Sequence, residues 1–130
     1  MNAQAADFWV RAVQAFHTAK RELREDPDAS ASRSYYAAFY AVSALFALEG
    51  ESFIKHTAVQ TAVHRDLVKS GRWRAELGED YSYLVETRVT GDYGGGDHVE
   101  VQDAQKSLSA AKEILNAVSK GNPKEFPMRG

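Results

Sequence analysis

Apolar residues recur along nearly the whole chain at spacings of three and four, and no run alternates with period two. The pattern therefore predicts helices throughout. The first is expected over about residues 4–24, with Trp9, Val13, Phe16 and Leu23 as its inward stripe. Asp26 then reads as an N-cap and Pro27 as the first helical residue, where its missing N–H costs nothing. This second helix runs to Glu49, with Gly50 placed to adopt the left-handed terminating conformation. A third is expected from Thr57, on the capping-box spacing Thr57 to Gln60, to Ser70 and Gly71. A fourth covers Glu79 to Thr90, with a start as early as Arg72 left open by Gly78. The fifth runs from His98 to Val118; its Val101, Ala104, Leu108, Ala111, Leu115 and Val118 form a bundle seam.

The second helix is apolar on most sides. Tyr35, Phe39, Val42 and Phe46 form one stripe, Tyr36, Tyr40 and Ser43 lie beside it, and Ala37, Ala41 and Ala44 make a third line. Such a helix is buried on most sides, so it is expected at the centre of the bundle, or there and also against a second subunit. Short connections between long amphipathic helices favour antiparallel neighbours. The expected fold is all-α, an antiparallel up-and-down bundle of four to five helices over residues 1–119, followed by a loosely held tail over 120–130.

Composition narrows the chemistry. At 130 residues the chain is expected to form one domain. A formal net charge of −2 argues against a general electrostatic hold on nucleic acid and leaves room for a local basic patch. There is no cysteine, hence no disulfide and no thiolate chemistry, which fits a cytoplasmic protein. No apolar run is long enough to span a bilayer and no signal-peptide pattern opens the chain, so no membrane association is expected.

The segment from Arg88 to His98 carries the sharpest chemistry. Tyr81, Leu84, Val85, Arg88 and Asp92 share one face of the fourth helix, which turns a guanidinium toward the core. A buried charge left alone costs about 3–5 kcal/mol, so Arg88 needs a partner. Asp92, one turn on, is one; the hydroxyls of Tyr35, Tyr36 and Tyr40 are others. Two readings stand: a structural ion pair closing the helix, and an anion clamp at the mouth of a groove. Asp97 with Glu100 has cap spacing, which would make His98 the first helical residue and let the helix dipole favour its neutral form, as a general base requires. The opposing reading is a surface histidine in a turn. Gly94, Gly95 and Gly96 either bring backbone close to a phosphate or simply connect the helices, and they lack the Lys-Ser/Thr of a P-loop. His17, His56 and His64 have no helical pairing of metal-ligand type, so no metal and no cofactor is expected; His56 reads as capping or core packing. Ser34 and Ser43 have no histidine at helical spacing and read as packing residues.

Three blocks together resemble HEPN domains (higher eukaryotes and prokaryotes nucleotide-binding). They are Ser32 to Ala41 running on to Gly50, then Lys55-His56-Thr57, then Arg88 with Asp92 and Tyr93. The resemblance covers about residues 5–118. It implies an antiparallel helical bundle that commonly dimerises. Many members are metal-independent endoribonucleases serving as toxins, and others are encoded beside minimal nucleotidyltransferases that act as antitoxins. In the ribonuclease members an arginine and a histidine four to six residues later face each other across the dimer. Arg88 matches that arginine; His98 follows after nine intervening residues rather than four to six. The position of the tyrosine that partners modify in some toxins, two residues beyond the histidine, is Glu100 here.

The resulting expectation is a homodimeric HEPN-like bundle paired with a nucleotidyltransferase-type protein. Arg88 would hold a scissile RNA phosphate, His98 would transfer a proton and Asp92 would orient Arg88. Tyr93, Tyr36 and Tyr40 would line the ligand site, with Tyr93 stacking on a base. Two rivals stay open. One is a non-catalytic module that binds nucleotide or RNA, or docks the partner. The other is a structural dimeric subunit, for which aspartate at Ala41 or Ala44 would break the dimer.

Overall fold

The computed structural model describes residues 2–53 and 55–128. Five helices and no strand occur among them: α1 (Ala3–Glu22), α2 (Pro27–Leu48), α3 (His56–Ala62), α4 (Ala75–Tyr93) and α5 (Val101–Gly121). The all-α expectation holds. A π-helical stretch, Val63–Val68, extends α3.

The α1–α2 turn forms as the residues dictate. The Asp26 side chain accepts a hydrogen bond from the Ala29 N–H (3.1 Å) and Pro27 opens α2. Buried Ser30 donates to the Ala19 carbonyl (2.7 Å) and ties α2 back onto α1. At the other end of α2, Gly50 takes φ +83°. The Glu51 N–H reaches Phe46 O (2.8 Å) and the Gly50 N–H reaches Ala47 O (3.1 Å), a Schellman closure of the helix.

The side-chain contacts fix the helix directions. Asn2 donates to Ala47 O while Ser30 meets Ala19, so α1 and α2 are antiparallel. Arg88 of α4 meets Tyr36 near the start of α2, and Arg74 at the mouth of α4 meets Glu113 far along α5, so α4 opposes both. Ala31 and Ala104, near the starts of α2 and α5, pack together. The long helices thus run up, down, up, down, with α3 inserted between α2 and α4. Helix α2 packs against all four others, and Tyr35, Val42, Phe46 and the alanine line are buried inside this single chain. Ala41 and Ala44 are 0% exposed without any partner, so they form core rather than a free dimer face.

Several boundaries differ from expectation. Helix α3 begins at His56, with Lys55 in the cap position and no side-chain cap bond, so Thr57 lies inside the first turn and makes no capping box. Helix α4 begins at Ala75 and absorbs Gly78. A Cβ on Gly78 would sit 3.1–3.3 Å from the Val68 and His64 side chains, so its absence lets α4 lie close to the π-helical stretch. Helix α5 begins at Val101 rather than His98. The C-terminal segment, expected to be loosely held, is anchored: Phe126 is fully buried with its ring 5.2 Å from that of Trp9, and Trp9 Nε1 donates to Pro127 O (3.0 Å).

Candidate functional site

The antiparallel pairing of α2 and α4 brings Arg88 over the aromatic row of α2. Its Cζ lies 5.1 Å from the Tyr35 ring centre and 5.4 Å from that of Tyr36, and Nη2 donates to the Tyr36 hydroxyl (3.0 Å). Asp92, one turn on, places Oδ2 2.8 Å from Nε, so the expected i,i+4 ion pair forms. Nε has no hydrogen bond of good alignment, so this contact is a charge pairing and leaves the buried Nε–H open. Burial acts to lower the Arg88 pKa and is outweighed by Tyr36 and Asp92, which raise it. The guanidinium is a permanent cation with its side chain 19% exposed. Tyr93, 71% exposed, brings its ring centre to 5.7 Å from the Arg88 Cζ and forms the outer wall.

Two residues join this cluster without having been assigned to it from sequence. Arg33, on α2, places its Cζ 4.6 Å from the Tyr36 ring centre, adding a second guanidinium on the same tyrosine. His56 stacks on Phe39 with ring centres 4.2 Å apart, and also meets Tyr35 (5.8 Å) and Tyr36 (5.7 Å). Its Nδ1 is 2.7 Å from the Tyr35 hydroxyl. Burial, then the Arg88 cation, pushes the His56 pKa down, so the ring is neutral near pH 7. Burial raises the Tyr35 pKa to about 12, so its hydroxyl stays protonated. The Lys55-His56-Thr57 block was the one sequence signal for His56; its distance along the chain from Arg88 hid the contact. Tyr40 reaches the cluster through the Tyr36 ring (5.9 Å) and stacks on Phe8 of α1 (6.3 Å).

His98 lies elsewhere in the single chain. It borders a hollow lined by Tyr83, Glu86, Thr87, Thr90, Val99 and Asp103. Those α4 residues are on the side of the helix away from Arg88. Its Nδ1 is 2.6 Å from Asp28 Oδ2, while the Val99 N–H donates to Asp28 Oδ1 (2.7 Å). Asp28 thus holds this segment out of the helix, and α5 starts three residues late. The expected dipole effect is therefore absent. Hydrogen bonding and charge pairing with Asp28, aided by Asp97 and Asp26, raise the His98 pKa and favour imidazolium, the reverse of the neutral form expected from a helix N-terminus. The glycine run makes the turn between helices: Gly94 ends α4, Gly95 takes φ +58°, and the Asp97 N–H closes onto Gly94 O (2.8 Å).

Two guanidinia, one carboxylate, a neutral imidazole and an exposed aromatic ring make a site suited to an anion joined to a flat group. Comparison with known proteins bears on which family builds such a site. A UPF0332 protein of Thermotoga maritima is 39% identical over 116 residues, covering 88% of each chain. A UPF0332 protein of Gloeobacter violaceus is 33% identical over 118 residues, covering 88% of this chain and 93% of the other. A Methanocaldococcus jannaschii protein named "Putative toxin" is 28% identical over 93 residues, covering 72% of this chain and 63% of the other. A family model described as HEPN domain matches residues 5–122, a stretch that reaches into all five helices and includes every residue of the Arg88 cluster. The chain belongs to the HEPN domain family.

Proposed function

We propose that this protein is a toxin-type HEPN endoribonuclease that cleaves single-stranded RNA without a metal ion. The observation that carries the reading is Arg88. It is a guanidinium largely withdrawn from water, steadied by Tyr36 and Asp92, with a second guanidinium, Arg33, on the same tyrosine. A phosphodiester bound there would receive positive charge where negative charge develops, the task a metal performs elsewhere. Asp92 orients Arg88, and Tyr93 offers a stacking surface to a base. The relative named as a toxin supports the toxin role, and the family resemblance adds a minimal nucleotidyltransferase-type protein as the restraining partner. The proton transfer expected of His98 would require a second copy of the chain, since within one chain His98 lies across α4 from Arg88.

The test is incubation of the pure protein with RNA in EDTA, beside Arg88→Ala and His98→Ala. The parent is expected to cleave, and Arg88→Ala to lose about a hundredfold or more. An inert parent sinks the ribonuclease reading. The pairing of His98 with Asp28 favours the second reading, a non-catalytic module that binds RNA or nucleotide at Arg88. That reading expects oligonucleotide binding by calorimetry, lost in Arg88→Ala, with no product.

A further inference from the structure

We propose that His56 is the imidazole that works with Arg88, taking the 2′-hydroxyl proton of the bound RNA at Nε2 while Tyr35 holds Nδ1. The inference rests on the ribonuclease reading above and assigns the proton transfer to a residue of the same chain.

Four observations converge on it. First, His56 and Arg88 share two rings: Tyr35 and Tyr36 lie within 5.8 Å of the imidazole centre and within 5.4 Å of the guanidinium carbon. Second, the ring is fixed in orientation by the 4.2 Å stack on Phe39 and by the 2.7 Å contact between Nδ1 and the Tyr35 hydroxyl. A base held in place by a second group is the arrangement proton transfer needs. Third, His56 Nε2 has no hydrogen-bond partner among the described residues, and Nδ1 meets a neutral hydroxyl, whereas His98 Nδ1 meets a carboxylate that favours imidazolium. Fourth, no carboxylate contacts His56. The groups facing it are Tyr35, Tyr36 and Phe39 from α2 and the Arg88 cation from α4, with Lys55 next in sequence. These surroundings keep it unprotonated, as an acceptor must be.

The proposed step uses one of the two tautomers that the Tyr35 contact accommodates. When Nδ1 carries the proton and donates it to the Tyr35 oxygen, Nε2 presents its lone pair outward. The step balances without any other reagent. Nε2 takes the 2′-hydroxyl proton, O2′ bonds to phosphorus, and the bond from phosphorus to O5′ breaks. The imidazolium returns the same proton to O5′. The products are a 2′,3′-cyclic phosphate and a 5′-hydroxyl, and the enzyme ends as it began. Arg88 carries the charge on the non-bridging oxygens.

Two measurements test this. Histidine-labelled protein is titrated by NMR with a 2′-deoxy oligonucleotide, which binds without being cut. The His56 imidazole is expected to shift and its pKa to rise as the phosphate arrives; Arg88→Ala abolishes both changes. In parallel, His56→Gln is expected to lose about a hundredfold or more in cleavage rate while still binding the deoxy oligonucleotide. Tyr35→Phe keeps the ring and its packing, and is expected to lower the rate and move the acid limb of the pH profile. Cleavage that survives His56→Gln and vanishes with His98→Gln overturns this inference and leaves the ribonuclease reading standing. So does oligonucleotide binding that leaves the His56 resonances unmoved beside a parent that cleaves. A parent that does not cleave overturns both.

Discussion

His56 and His98 sit in opposite electrostatic surroundings, so their contributions to stability run in opposite senses with pH. His98 has its pKa raised by Asp28, and the folded state holds its proton more tightly than the unfolded chain. Its contribution is fully present below about pH 6.5, the unfolded value, and is lost as pH rises through the higher folded value. His56 has its pKa lowered by burial and by Arg88, so the unfolded chain takes up the proton first. Its contribution is present above about pH 6.5 and is lost as pH falls toward the folded value. Urea titrations from pH 5 to pH 8 are expected to show His98→Gln costing more stability at the acid end than at the alkaline end. His56→Gln is expected to flatten the loss on acidification; parallel curves for the two variants would contradict the assignment. The same two residues show how far the site is legible in sequence. Arg88 and Asp92 are four apart on one helix, and their ion pair follows from helical geometry alone. His56 reaches Arg88 only through tertiary packing onto Phe39 and Tyr35, and no local spacing encodes that. For His98, the local cap pattern pointed the wrong way because Asp28, far off in the chain, competes for the segment.

At the scale of elements, the number and order of helices follow from periodicity, and the apolar girth of α2 announces its central place. The ends are less legible because tertiary contacts set them. Asp28 accepts from the Val99 N–H and delays α5; Gly78 passes inside α4 with the Val68 and His64 side chains packed close against it. Gly91 makes a sharper case. It lies in α4, where alanine is intrinsically better by about 1 kcal/mol. A Cβ there would sit 2.7 Å from the Asp28 carbonyl oxygen, a backbone atom that cannot rotate away. Overpacking of this kind costs about 1–3 kcal/mol, so the clash outweighs the helix preference. Gly91→Ala is expected to lower the unfolding free energy and to loosen the His98–Asp28 contact. Gly78→Ala meets only side chains, at 3.1–3.3 Å, and is expected to be nearly neutral. Denaturant melts of the two variants check the contrast; equal losses would mean the Asp28 backbone yields.

For the whole molecule, Tyr35, Val42, Phe46 and the alanine line of α2 are buried within one chain and the C-terminal segment adds Phe126 to the core, while Ala29, Arg33, Tyr36, Tyr40 and Ser43 leave one half-buried stripe along α2. Phe126→Ala is expected to cost about 3–5 kcal/mol, read as a lowered denaturation midpoint. A second copy would join through outer surfaces such as that stripe, which also bears the proposed RNA site. The molecule carries a net charge of −2, so distant charges give a polyanion no general attraction. In the proposed reading, the local pair Arg33 and Arg88 on Tyr36 supplies the binding charge. Each phosphate neutralised on a single strand contributes a slope of about −0.7 to log K against log salt. Two contacts predict a slope of about −1.4, shallow beside that of a basic RNA-binding protein. Arg33→Ala is expected to halve it while leaving the Arg88–Tyr36 bond in place, and oligonucleotide titrations across a salt series measure it directly. A slope several times steeper would mean that a broader cationic surface carries the binding. The Arg88 cluster would then be one part of a larger cationic site, on one chain or shared between two, rather than the whole of it.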